Sequence, residues 1–355
     1  MKTVAFLLSG VVTLLFVGCA LGPNSLPKDR FDYNAAIADS WKTQTLLNIV
    51  KLRYGDAPTY LDVASVITSY ELSGGANIAG KWAINPSYGS EATAGVTGFF
   101  ANRPTITYNP LAGERFTRSM MTPLPPSSIF FLIQAGYPVD AVFRALVQDV
   151  NGIRNRYGGS GRNVPADPRF YHLINKLREI QDNGALEIRV QKETNREANL
   201  MVIKKDRDEK TEANSRDIRK MLDLNPEAQE FKVVYGSIPS NDKEIAIISR
   251  SVLQLLIDLG SFIEVPDIHI KEKWVLPTIE ERTADGVPIP PMIRIHSGTS
   301  NPGDAFVAVS YEGHWFWIDK QDLRSKGTFS FLMFIFNLVE TGIKEGVPVV
   351  TIPTR

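Results

Sequence analysis

Residues 70–108 alternate between two kinds of residue over a length that few folds can use. The even positions of 70–84 are mostly apolar or glycine, and the odd positions are mostly polar or small. After a turn at residues 86–90 the alternation continues to Tyr108. Strict period-two alternation predicts β-strands, and a typical strand has only about five or six residues. The segment therefore predicts one unusually long β-hairpin.

Two interpretations of this hairpin stay open. Transmembrane strands need about nine to eleven residues, alternate in this way and carry aromatic residues at both interfaces. Tyr70 and Trp82 are twelve positions apart. A strand of that length, tilted by about 40°, spans about 30 Å along the membrane normal. Lipid does not tolerate open strand edges, so this use requires a ring of subunits that each donate two strands. The alternative is a long hairpin on a soluble domain or at a subunit contact. The candidate membrane or partner residues are Tyr70, Leu72, Ile78, Trp82, Phe100 and Tyr108.

The N-terminus has the pattern of a secretory signal. Lys2 precedes an almost unbroken apolar run from Val4 to Val17. A bilayer span needs about 20 apolar residues, so this run is too short, and it has the length of a signal-peptide core. We therefore expect residues 1–18 to be removed.

Residues Phe16-Val17-Gly18-Cys19 resemble the lipobox of bacterial lipoproteins, with Phe16 where that family usually has Leu. The resemblance implies signal cleavage between Gly18 and Cys19, and lipidation of Cys19 as the link to the membrane. Ala20 is not Asp, which by the same resemblance implies the outer membrane. Cys19 is the only cysteine, so an internal disulfide is excluded. A plain secretory signal with an incidental cysteine is the alternative.

The remainder of the chain is similar to a group of uncharacterised proteobacterial lipoproteins. This similarity brings no known activity and no catalytic residues that could be carried over to the chain. The phrases that carry it are Leu46–Tyr54, Arg103–Tyr108 and Trp315–Asp319.

Patterning along the chain predicts four regions and an α+β fold. They are a signal peptide at 1–18, a tether at 19–30, a helical region with the long hairpin at 31–184, and an α+β domain at 185–355. Antiparallel hairpins with interspersed helices favour α+β, since regular strand-helix repetition is missing. The helices are expected at 34–54, 127–136, 139–153, 169–183 and 329–339. The strands are expected at 186–190, 200–203, 231–235, 293–295, 305–309 and 314–318. The charged run from Lys204 to Glu212 is interpreted as a solvated loop or hairpin tip.

Composition and motifs give no sign of catalysis. The 39 Lys and Arg balance 39 Asp and Glu, which argues against a dedicated nucleic-acid binder. The four histidines are scattered along the sequence, and none forms a ligand pair on one helix face. No cofactor or metal pattern emerges. The Gly158–Gly161 stretch is interpreted as a linker, and the alternative is an anion site among Arg154, Arg156 and Arg162. The carboxylate pair Glu280-Glu281 is expected to be solvated.

The aromatic run at residues 315–317 is expected to divide between two faces. Alternation places Trp315 and Trp317 on one face of a strand and Phe316 on the other. A core face plus a partly exposed patch, with Tyr311 nearby, is the favoured interpretation. Stacking of sugars or bases is the alternative.

These observations favour an outer-membrane lipoprotein that is a non-catalytic structural or interaction component of an envelope complex. Its body would lie in the periplasm, and its partners would be the membrane, further copies or other envelope proteins. One alternative is a homo-oligomeric export channel built from the 70–108 hairpins. Another is an envelope hydrolase that acts on cell-wall or carbohydrate material.

Overall fold

Helices and antiparallel or mixed sheets make up the protein, as the α+β prediction requires. The structure is a computed structural model. It describes residues 26–67, 70–81, 91–102, 105–159, 164–193, 196–205, 208–283 and 286–339. The predicted fold class is confirmed.

Nine helices lie in the described ranges. They are α1 (Leu26–Arg53), α2 (Glu114–Met121), α3 (Pro126–Gln134), α4 (Val139–Leu146), α5 (Pro168–Asp182), α6 (Glu209–Met221), α7 (Val252–Gly260), α8 (Asp267–Lys271) and α9 (Leu323–Val339).

Thirteen strands lie in the same ranges. They are β1 (Tyr60–Ile67), β2 (Tyr70–Lys81), β3 (Glu91–Asn102), β4 (Thr105–Leu111), β5 (Val147–Val150), β6 (Ile153–Arg154), β7 (Leu186–Glu193), β8 (Arg196–Ile203), β9 (Glu230–Tyr235), β10 (Glu244–Ser249), β11 (His296–Gly298), β12 (Ala305–Tyr311) and β13 (His314–Asp319).

The chain divides into two compact units. Of the described residues, the first unit contains 26–40 and those within 60–111, and the second contains 41–59 and those within 112–339. In the first unit, β1 pairs with β4 and β2 pairs with β3, each as a two-stranded antiparallel sheet.

The second unit is built on a six-stranded sheet of order β6-β5-β10-β9-β8-β7. Strands β9 and β10 run parallel, and every other neighbouring pair runs antiparallel. Its strands come from both sides of residue 184, where the sequence analysis places a domain limit. Helix α5 lies against α4 and α6, and α3 lies on β7, β8 and β9. The core consists of residues such as Phe143, Phe170, Ile188, Phe231 and Ile247, all 7% exposed or less.

A three-stranded antiparallel sheet of order β11-β13-β12 also belongs to the second unit. Glu312 and Gly313 form the turn between β12 and β13 with φ angles of 46° and 74°. Both values lie in the left-handed region, which two-residue hairpin turns require and which glycine adopts readily. The two strands of this hairpin confirm the strands predicted at 305–309 and 314–318.

Two predicted elements are wrong in part. The helix expected at 139–153 ends at Leu146, because Val147–Val150 pairs instead with β10, where Val150 lies opposite Ile247. Part of the charged run that was interpreted as a loop is helical, because α6 begins directly after Asp208. The Asp208 carboxylate accepts a hydrogen bond from the Thr211 backbone N–H at 2.8 Å, which caps the helix.

Other helices follow their predicted signals more closely. The Asp167 carboxylate caps α5 by accepting from the Arg169 backbone N–H at 2.9 Å, and Pro168 occupies the first helical turn.

Helix α1 begins at Leu26, so residues 26–30 of the predicted tether are helical. The strand expected at 293–295 is wrong in position, because β11 covers 296–298 and, of the predicted residues, only Ile295 forms a bridge, with Ile263.

Candidate functional site

The alternating segment forms a long two-stranded ribbon, which we define as β1 to β4, residues 60–111. Strands β2 and β3 pair without a bulge over twelve residues each, from Tyr70 opposite Asn102 to Lys81 opposite Glu91. The β1-β4 ladder ends at Ile67 opposite Thr105. Three positions separate Ile67 from Tyr70, and three separate Asn102 from Thr105, so the pairs at this end of β1-β4 continue the register of β2-β3. Between Val63 and Ser65 the β1-β4 register then shifts by one residue.

The ribbon has one apolar and one polar face. Residues that pair across an antiparallel ladder lie on the same face of the sheet. One face carries the pairs Leu72–Phe100, Gly74–Gly98, Ala76–Val96, Ile78–Ala94 and Gly80–Ala92. The opposite face carries the pairs Glu71–Ala101, Ser73–Phe99, Gly75–Thr97, Asn77–Gly95, Ala79–Thr93 and Lys81–Glu91. The terminal pair Tyr70–Asn102 also lies on the first face; apart from it, only small or apolar residues form the first set, whereas charged and hydroxyl residues belong to the second.

At the β1-β4 end of the ribbon, large apolar side chains are exposed. Ile106 and Tyr108 of β4 are 42% and 53% exposed, and Leu61 of β1 is 50% exposed. In the described residues no third strand pairs with either ladder. An isolated two-stranded sheet is marginally stable in water, and open edges invite further strand pairing. The ribbon therefore has the features of an assembly surface.

Some of the predicted site residues lie in the described ranges, and others lie outside them. Gly18, Cys19 and Trp82 lie outside the described residues. The backbone places Tyr70, Leu72, Ile78 and Phe100 in the ladder at the registers given above. Tyr108 lies opposite Val63 in the β1-β4 ladder.

A buried group of charged residues in the second unit was missed by the sequence analysis. Arg250 and Asp258 are each 1% exposed, and their side chains approach to 3.1 Å. The other Asp258 oxygen accepts from the Gly158 backbone N–H at 3.0 Å. Arg156, also buried, donates to Ser261 Oγ at 2.9 Å. Each charged group has polar partners, as buried charges in folded proteins require, so this cluster serves a structural role.

Glu281 belongs to the same region, and its predicted solvation is wrong. Its side chain is 9% exposed, its Oε2 lies 3.6 Å from Arg156 Nε, and the Tyr171 hydroxyl donates to it at 2.7 Å. Burial raises the pKa of the Tyr171 hydroxyl, with nearby Arg144 opposing that rise. These partners are 110 and 125 positions from Glu281 in sequence, which no local pattern reveals.

Two of the four histidines come together beside aromatic rings. The imidazoles of His269 and His314 have centroids 4.5 Å apart, and Tyr54 Oη lies 2.7 Å from His269 Nδ1. Burial lowers the pKa of His269, and the adjacent His314 lowers it further, while Glu272 and Glu312 oppose the shift. His269 is therefore held in its neutral form, which suits a packed core position.

This burial makes stability depend on pH. The pKa of His269 is lower in the folded state than its value of about 6.5 in the unfolded chain. As the pH falls, the unfolded chain therefore binds a proton at this residue before the folded protein does. Stability is then present above about pH 6.5 and declines as the pH falls toward the folded pKa. We expect the urea concentration at the unfolding midpoint to decrease when the pH is lowered from 7.5 to 5.5. The His269→Gln variant should show a smaller fall, whereas His172→Gln, at an exposed position of α5, should match the wild type. Equal falls in all three proteins would contradict this assignment.

Two kinds of site are absent from the described ranges, a metal cluster and a membrane-spanning helix. There, no three side chains of His, Cys, Asp or Glu converge as ligands for a metal ion. Across the same residues, none of the helices combines the length and apolarity needed to cross a bilayer.

Comparison with known proteins gives no relative. No family model, curated protein or solved structure matches this chain.

Proposed function

We propose that the protein is a lipid-anchored component of an outer-membrane complex that acts by assembly and not by catalysis. The ribbon is its assembly element. The observation that carries the proposal is the bulge-free β2-β3 ladder, which has one apolar face and no third strand in the described residues. Such a ribbon gains stability by pairing its edges and burying its apolar face. The proposed partner in the envelope therefore pairs with the ribbon edges and covers its apolar face.

The anchor rests on the N-terminal sequence. The apolar run before Cys19, and its similarity to a lipobox, support lipidation of that residue. Several acyl chains on one residue give stable membrane attachment where a single chain is marginal. The tether would then hold the body close to the membrane surface.

Lipidation is testable by labelling cells with radioactive palmitate. The wild-type protein should incorporate the label, and Cys19→Ser should not, because serine offers no thiol for thioether formation. The neighbouring substitution Ala20→Ser introduces the same side chain one position later and should leave labelling intact. Label in the Cys19→Ser protein would refute the anchor.

A second candidate is a homo-oligomeric export channel in which copies of the ribbon line up as a ring. The length of the apolar face favours it. From Tyr70 to Gly80 the strand covers about 33 Å at about 3.3 Å per residue. At a tilt of about 40° this is about 25 Å along the membrane normal, the height of the apolar band of transmembrane strands. In such a ring each strand pairs with a neighbour, so no edge is exposed to lipid.

A further inference from the structure

The outer face of the three-stranded sheet carries two tryptophans among small residues. In β13, Phe316 and Ile318 are fully buried, whereas Trp315 and Trp317 on the opposite face are partly exposed. This division is the one predicted from the sequence. Across the ladders Trp315 lies between Gly298 and Ser310, and Trp317 lies between His296 and Ala308. Three of these four neighbours are too small to cover an indole ring.

The Trp317 indole is held in place from two directions. Its Nε1 donates to Asp319 Oδ1 at 3.0 Å. A Cβ at position 298 would lie 3.2 Å from Trp317 Cη2, so the benzo ring lies closely over Gly298, where a larger residue would press on it. The imidazole of His296 is close to the same indole, with centroids 5.6 Å apart and planes 34° apart. The ring therefore has a fixed orientation on the sheet.

Hydrogen-bonding groups of mainly negative charge lie beside these rings. His296 lies between two carboxylates, with Nδ1 2.9 Å from Glu264 Oε2 and Nε2 3.3 Å from Asp319 Oδ2. The side chains of Glu264 and Asp319 are 56% and 53% exposed, so each can take a further hydrogen bond from a ligand. Carboxylates repel phosphate, which disfavours nucleic acid on this face, but they accept hydrogen bonds from hydroxyl groups.

We propose that this face binds an uncharged glycan chain. The exposed C–H faces of sugar rings are apolar and pack on indole rings, and sugar hydroxyls are the donors that Asp319 and Glu264 can accept. Positions 315 and 317 lie two residues apart on one strand, about 6.6 Å, a distance comparable with the size of one sugar ring. Successive rings of one chain can then contact the two indoles. The site is independent of the ribbon and of the proposed assembly function.

The test is calorimetric titration of the full-length protein in mild detergent with two uncharged probes, a hexamer of N-acetylglucosamine and a hexamer of glucose. We expect one of them to bind, and the one that binds assigns the sugar. Trp317→Ala should weaken that binding about tenfold or more, because stacking on one aromatic ring contributes on this scale. Ser310→Gln, at an exposed position beside Trp315, should also weaken binding without disturbing the core.

Trp274→Ala is the matched control. Trp274 is 48% exposed and lies outside this sheet, so its loss should leave the affinity unchanged. Failure of both hexamers to bind the wild type would overturn the proposal. Equal losses from Trp317→Ala and Trp274→Ala would also overturn it, as would binding of a thymidine oligonucleotide in place of either hexamer.

Discussion

Replacing Ile78 by lysine is expected to abolish assembly of the protein. Ile78 pairs with Ala94 on the apolar face of the ribbon, so the new ammonium group would have to enter the apolar contact or the lipid. A lysine on the lipid-facing side of a transmembrane strand costs about 2–4 kcal/mol at the midplane, which corresponds to about 30-fold or more in an association constant. Because every copy carries the change, the assembled fraction on a native gel should fall to near zero.

The neighbouring residue provides the control. Asn77 pairs with Gly95 on the polar face and is exposed, so Asn77→Lys introduces the same charge one position away in water. Its assembled fraction should equal that of the wild type. If both lysines reduce assembly equally, the contact does not depend on the apolar face, and the assigned role of the ribbon is wrong.

The second large effect is expected for Asp258→Ala in the buried charged cluster. The substitution removes the partner of Arg250, which is 1% exposed, and the acceptor for the Gly158 N–H. Breaking a buried ion pair by removing one partner costs about 3–5 kcal/mol, because the remaining charge stays buried without compensation. Urea unfolding should show that loss in the free energy of unfolding.

Glu114→Ala is the comparison for this prediction. It also removes a carboxylate from an ion pair, but the Glu114 and Arg118 side chains are 82% and 74% exposed on α2. An exposed pair of this kind contributes about 0.5 kcal/mol or less. If Asp258→Ala costs no more than Glu114→Ala, the cluster around Arg250 is not a stabilising core element.

Local patterns predicted the elements whose determinants are local. The β2-β3 hairpin follows from alternation, since the residue type at each position is tied to the face on which it lies, whereas β1 (Tyr60–Ile67) was not predicted. The β12-β13 turn at Glu312-Gly313 follows from its length and its glycine. The start of α5 follows from the Asp167 cap. In each case the residues that decide the structure are within a few positions of one another.

The errors arose where distant contacts decide the structure. Residues 147–150 fit the apolar spacing of a helix, but pairing with β10 about 100 positions away makes them a strand. Glu281 sits in a polar run, yet Tyr171 and Arg156 bury it. Helix α6 could have been found, because Asp208 is a good cap and the acidic Glu209 and basic Lys220 lie at the ends that the helix dipole favours. The two tryptophans were placed correctly, whereas His296 and Glu264 beside them come from other parts of the chain.

The native mass of the protein shows whether the ribbon is an assembly element. The protein would be extracted from outer membranes in mild detergent and sized without crosslinker. We expect a discrete species with the mass of several chains, and a ring of copies would give a whole-number multiple of one chain. A single species with the mass of one chain would contradict it.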